Sequence, residues 1–264
     1  MNKTELEQVI NETINESKKY ISNDGTINLI KETLNYDRSE ESINSIATAI
    51  SKTAWITENS EAVSAVAKLF QSYSEKYIEH ATKTIIDASF YVGSKNKKQC
   101  PLIIKTLAEE LKKQYSETGT ITDAITNIIK NAATKSQSPE MIRAVGETIR
   151  DYQKTKEISP YALRAINKVV IKSSNPEVVK AVGETIRDYS ENKELNEEVS
   201  LAISNTAIYC DNPETVKFVG KTFKECQNDE LYKMAQEITS ITYYIIGAKN
   251  INKEINNAVK KYRS

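Results

Sequence analysis

The side chains able to do chemistry in this chain are few, and their spacing does not gather them. His80 is the only histidine and lies in a helical stretch from Tyr77 to Lys83. A catalytic triad or a zinc site needs histidine together with Ser, Cys or carboxylates converging in space. Nothing in the sequence brings such partners to His80. Cys100, Cys210 and Cys226 are odd in number and far apart, which fits free thiols in a reducing compartment better than a disulfide framework. Each glycine stands alone among helix formers, so there is no Gly-rich loop to cradle a phosphate. The recurring carboxylates have cations one turn away: Glu147 stands between Arg143 and Arg150, and Glu184 between Lys180 and Arg187. Such pairs contribute roughly a few tenths of a kcal/mol each on an exposed helix. The expectation is a protein without catalytic residues, metal or cofactor; an enzyme built on helix pairs is kept as the last alternative.

The elements that must position these side chains form a repeat. Ser138 to Tyr152 recurs almost verbatim as Asn175 to Tyr189, and a looser copy runs from Asn212 to Lys224, with starts 37 residues apart. Self-similarity at a period of about 20 to 50 residues marks an array whose units bury their apolar faces against their neighbours. Within a unit, Ile142, Val145, Gly146, Ile149 and Tyr152 recur at spacings of three and four, one face of an α-helix. Its start is written in Ser138, Asn175 or Asn212 as N-cap. Pro139, Pro176 or Pro213 follows at the first helical position, and Glu140, Glu177 or Glu214 then meets the positive end of the dipole. A second helix begins at a second set of caps in register: Thr122, Ser159 and Asn196. Its inward stripe is Ile125, Ile128, Ile129 and Ala132; then Ala162, Ala165, Ile166 and Val169; then Val199, Ala202, Ile203 and Thr206. No period-two alternation appears, so no strands are predicted.

Weaker copies extend the pattern. Asn59 to Tyr73 and Pro101 to Tyr115 read as earlier first helices, with Ser39 and Ser74 as caps of earlier second helices. The predicted architecture is a single all-α domain over 1–264, an α-α superhelix of about six helix pairs. The pairs occupy approximately 22–57, 58–99, 100–137, 138–174, 175–211 and 212–248, with end helices at 4–21 and 250–262. Gly146, Gly183 and Gly220 fall in mid-helix at one register, where glycine costs roughly 1 kcal/mol relative to alanine. Earlier copies have Ala67 and Ala108 there, which points to a small residue that lets two helices approach closely.

Pairs of antiparallel helices at this period resemble the HEAT-repeat family of α-solenoids, more than tetratricopeptide repeats at about 34 residues or three-helix armadillo units at about 42. The resemblance covers almost the whole chain in architecture. It implies a curved scaffold that binds proteins or, less often, nucleic acids, with the second helices lining the concave side.

Charge and hydropathy bound the partners. The chain has 36 basic and 36 acidic side chains, which argues against coating nucleic acid without preference. Residues 95–172 nevertheless carry about 15 basic and 8 acidic groups. The start, Met1 to Gln8, is acidic where a signal peptide would be apolar, and no run reaches the roughly 18 apolar residues of a membrane span. A cytoplasmic protein with no membrane partner is expected.

Two surfaces follow from stacking. Arg143, Lys180 and Lys217 form one basic row, and Arg150, Arg187 and Lys224 a second, able to track phosphates or an acidic peptide. Glu147, Glu184, Asp151 and Asp188 lie among them and fit a solvated, salt-bridged face instead. On the second helices Leu163, Ile171, Leu201, Ile208 and Tyr209 fall off the buried stripe, next to Arg164, Lys168, Lys172 and Asn205. A contiguous apolar patch of this kind marks a partner surface; a helix rotated by one position would put these side chains in the core. The reading is a scaffold that holds a helix or extended segment of another protein there. Nucleic-acid binding through 95–172, including the glycosylase type, is the alternative. Tyr73, Tyr115, Tyr152 and Tyr189 share a register at first-helix ends, where the ring can cap the core while the hydroxyl reaches water.

Overall fold

Residues 2–35, 37–226, 228–244 and 248–262 are described by a computed structural model. The end of the last predicted pair, 245–247, lies outside them. Among the described residues the chain is all α, with no strand. After α1 (Lys3–Lys18) come α2 (Asp24–Leu34) with α3 (Glu40–Thr57), α4 (Ser60–Ser72) with α5 (Ile78–Lys95), and α6 (Cys100–Thr118) with α7 (Asp123–Asn131). Then follow α8 (Pro139–Gln153) with α9 (Pro160–Lys172), α10 (Pro176–Ser190) with α11 (Glu197–Cys210), and α12 (Pro213–Glu225) with α13 (Asn228–Tyr244), before α14 (Ala248–Lys261).

Contacts divide the chain into two compact units, 1–146 and 147–264. In the first, α1, α3, α5 and α7 pack in succession, as do α2, α4 and α6. In the second, α9, α11 and α13 form one succession and α10 with α12 the other, while α14 packs against α11, α12 and α13. In each unit a helix therefore meets its sequence neighbour and the like helix of the next pair, the arrangement of an α-α superhelix.

The helix starts follow from their caps. Asn59 Oδ1 accepts from the Ala62 N–H at 3.0 Å, Ser159 Oγ from Ala162 at 3.2 Å, and Asn196 Oδ1 from Val199 at 3.0 Å. Ahead of Pro176 and Pro213, Asn175 Oδ1 accepts from the Glu177 N–H and Asn212 Oδ1 from those of Glu214 and Thr215, satisfying amides that the first turn leaves free. Ser74 differs. It makes no cap bond, and a 3-10 turn, Glu75–Tyr77, precedes α5 instead. The turn places Glu75 so that its carboxylate accepts the Ser39 N–H at 2.6 Å, which joins two successive interhelix loops. After α7 the helix widens into a π turn over Ala132–Ser136.

Three contacts hold successive pairs together. The first is the glycine register: a Cβ built on Gly183 would lie 2.1 Å from Thr148 Cγ2, and one on Gly220 2.0 Å from Thr185 Cγ2. The mid-helix glycines thus receive a threonine methyl from the preceding first helix. The second is the tyrosine register, where the hydroxyls of Tyr73 and Tyr152 turn to partners inside the protein while Tyr115 is half-buried. Tyr73 is buried and its hydroxyl donates to the Leu111 carbonyl at 2.8 Å, while Tyr152 Oη lies 3.3 Å from Ser190 Oγ. Burial, and then the Tyr115 ring 4.8 Å away, hold ionisation of Tyr73 well above the ordinary phenol range. At Tyr73 and Tyr152 the ring is buried, so the hydroxyl finds a partner inside the protein.

The third contact is a cation from an interhelix loop on the C-terminal carbonyls of the next first helix. Arg38 donates to Phe70 O at 2.6 Å and Tyr73 O at 3.2 Å; Lys193 donates to Phe223 O at 3.1 Å and Cys226 O at 2.5 Å; Lys156 donates to Ser190 O. A positive charge there meets both unsatisfied carbonyls and the negative end of the helix dipole.

Candidate functional site

The first-helix face of the second unit is a ladder of opposite charges. Lys180 Nζ lies 3.3 Å from Glu147 and 3.7 Å from Glu177; Lys217 lies 2.9 Å from Glu184 and Lys224 3.3 Å from Glu191. Hydrogen bonds donated to Glu147 and to Glu184 hold Lys180 and Lys217 above the usual lysine range. Arg187 lies 3.4 Å from Asp188, and in the first unit Arg143 lies 4.0 Å from Glu140. Arg150 is only 5% exposed, so it is withdrawn from the surface on which its row was drawn. The first unit repeats the motif between α4 and α6, where Lys105 and Glu61 meet at 2.6 Å and the lysine pulls the Glu61 carboxyl below its usual range. These cations are already matched by carboxylates, which reduces the field that a phosphate chain would meet.

His80 acquires a partner that the sequence did not reveal. Its Nδ1 lies 2.9 Å from Asp123 Oδ1, across from the start of α5 to the start of α7. Both side chains are open to solvent, where the pair acts as a surface ion pair when the imidazole is protonated. Among the described residues no three of His, Cys, Asp and Glu are placed to hold a metal ion. The three cysteines are free and buried, and burial pushes the Cys100 thiol up to about 11 and the Cys210 thiol up to about 12. No helix of the described residues is long and apolar enough to cross a membrane.

The second-helix face of the second unit has a different character. The inward stripes Ala162, Ala165, Ile166 and Val169 on α9, and Val199, Ala202, Ile203 and Thr206 on α11, are buried as their spacing required. Leu163, Leu201 and Ile208 are half-buried, and Ile171 and Tyr209 are exposed, Tyr209 at 42%. The helices are not rotated, and these apolar side chains lie off the core on two helices that pack together. Arg164 Nη1 pairs with Glu197 at 2.8 Å, at the start of α11. Lys168 Nζ donates to Asn205 Oδ1 at 2.6 Å. Asn205 itself is 1% exposed, deeper than its place beside the apolar strip suggested. Lys172 is exposed and has no carboxylate partner among the described residues.

In the first unit the same face carries aromatic rings that sequence reasoning did not single out. Trp55, on α3, is 51% exposed and meets Phe90 of α5 edge-on at 5.8 Å between centroids. Lys52 Nζ sits 5.4 Å over the Phe90 ring and Lys135 Nζ 5.5 Å over the exposed Tyr91 ring. The signal for them was available. The buried stripe of α5 is Ile78, Ala81, Ile85, Ala88 and Val92, which turns Phe90 and Tyr91 away from the core.

Comparison with protein-family models and with curated proteins gives no match.

Proposed function

We propose that this protein is a HEAT-like, non-enzymatic scaffold of the cytoplasm that holds a helix or extended segment of another protein on the outward faces of its second helices. The observation that carries this reading is the strip of Leu163, Ile171, Leu201, Ile208 and Tyr209, which lies off the buried stripes of α9 and α11. Apolar side chains that lie off the core on two packed helices are candidate contacts for a partner. The exposed Trp55, Phe90 and Tyr91 of the first unit support it independently, since aromatic residues are enriched where binding energy concentrates. Buried, unoxidised cysteines accord with a reducing compartment.

The competing reading is nucleic-acid binding through 95–172. It is weakened by the partners that zone already has: Lys97 with Glu58, Lys105 with Glu61, Lys130 with Asp87 and Lys154 with Asp151. Affinity capture from source-organism lysate, with and without nuclease, separates the two. A dominant protein that survives nuclease, and that the Leu163→Glu, Leu201→Glu, Ile208→Glu triple variant no longer retains at unchanged helicity, is the expected result. Partners that vanish with nuclease, or retention unchanged in the triple variant, would overturn the scaffold reading.

A further inference from the structure

We infer that the α9/α11 face reads carboxylates, and that its occupant is an acidic amphipathic helix whose acidic side chains lie one turn apart and are set at Lys168 and Lys172. This rests on the protein-binding reading above and specifies the partner's chemistry. Arg164, Lys168 and Lys172 follow one another at four-residue spacing and so form a column along α9. Their equivalents 37 residues on are Leu201, Asn205 and Tyr209, which form the neighbouring column on α11. The face is therefore a basic column beside a largely apolar one. A helix with acidic and apolar stripes side by side is its complement.

The state of the lysines carries the argument. On the first-helix face of the same unit Lys180, Lys217 and Lys224 each meet a glutamate. On α9 only Arg164, at the N-terminal end, has one. Lys168 is half-buried, and its ammonium is held by a neutral amide oxygen instead of an anion. That amide is itself under-satisfied: Asn205 Nδ2 is buried without a hydrogen-bond partner. Burial also pulls Lys168 below the usual lysine range, as expected for a cation partly desolvated with no compensating charge. An arriving carboxylate supplies that charge. Glu197 is engaged by Arg164, and Asp211, a carboxylate that accepts the Ser173 hydroxyl, forms no ion pair with Lys168 or Lys172. Glu198 lies one turn before Leu201 on α11, so the α11 side is acidic towards its N-terminal end. The site for the partner's acidic groups is thus confined to the C-terminal halves of the two helices, at Lys168 and Lys172.

The test uses the full chain and two fluorescein-labelled helical peptides that differ only in charge. One carries Glu at every fourth position with Leu beside each; in the other every Glu is Gln. Fluorescence anisotropy is expected to show the Glu peptide binding at least about tenfold more tightly than the Gln peptide. Lys168→Gln should remove that preference with thermal unfolding unchanged, and a Lys168→Glu variant should instead prefer a peptide bearing Lys at those positions. Equal binding of Glu and Gln peptides would overturn the carboxylate reading and leave the apolar docking face standing. No binding of either peptide would also overturn it, and the lysate capture above then decides the scaffold reading separately. Tighter binding of a single-stranded oligothymidylate than of the Glu peptide, lost in Lys168→Gln, would assign the column to nucleic acid.

Discussion

Gly183→Ala destabilises the second unit by about 1–3 kcal/mol, the usual range for overpacking, although alanine improves helix propensity by about 1 kcal/mol. The new Cβ would stand 2.1 Å from Thr148 Cγ2 and 3.3 Å from Thr148 Cβ. The first distance is well inside contact and the second only tight, so a single methyl group is responsible. Thr148 Oγ1 makes no hydrogen bond, and what the glycine accommodates is this methyl. Removing it by Thr148→Ser should therefore restore most of the stability lost in Gly183→Ala, with a coupling of about 1–2 kcal/mol for residues in direct contact. Gly220→Ala should show the same loss but weaker rescue by Thr185→Ser, because Thr185 Cβ would remain 3.1 Å away. Urea unfolding of the four variants in each cycle measures this. Additive single effects, or a Gly183→Ala protein as stable as the parent, would contradict the close-approach account of the glycine register.

Lys193→Ala costs about 1.5–3 kcal/mol, the range for hydrogen bonds to a charged group. Its ammonium bridges Phe223 O and Cys226 O where α12 ends, and no other cation stands on that loop. The loss has two causes, the lost charge-assisted hydrogen bonds and the uncompensated dipole end. Lys193→Met keeps most of the apolar stem and separates packing from charge. Lys193→Met should lose nearly as much as Lys193→Ala in denaturant unfolding. A Met variant that unfolds at the parent's denaturant concentration would show that the stem, and not the ammonium, joins the two pairs.

Much of the helical architecture was legible because three levels of the sequence agree. Asn175 or Asn212 caps, a proline follows at the first helical position, and the three-and-four spacing of Val178, Val182, Ile186 and Tyr189 fills one face. Local propensity and apolar pattern then specify the same element. The glycine register was legible for the same reason, since a mid-helix cost met repeatedly demands a steric partner. What stayed hidden depends on contacts between residues distant in sequence. His80 and Asp123 are polar residues on different helices, and nothing in either segment's spacing selects the other. Lys156 and Lys193 occupy equivalent loop positions in two near-identical copies, and that recurrence was a usable sign of a fixed partner. The Tyr73 and Tyr152 hydroxyls find internal partners, because a helix end looks open in sequence until the next pair covers it. On the second helices Leu163, Leu201 and Ile208 are half-buried and Ile171 and Tyr209 exposed, whereas Asn205 sits deeper than its column suggests because Lys168 lies across it.

The central claim is that the second-helix face, not the salt-bridged first-helix face, meets the partner. The most direct measurement is site-specific photocrosslinking in lysate with benzoylphenylalanine at Tyr209 or Ile171, and at Lys221 on α12 for comparison. A discrete protein adduct from Tyr209 and Ile171, absent at Lys221 and unaffected by nuclease, is the predicted result. An adduct confined to Lys221, or nucleic acid crosslinked in place of protein, would contradict it.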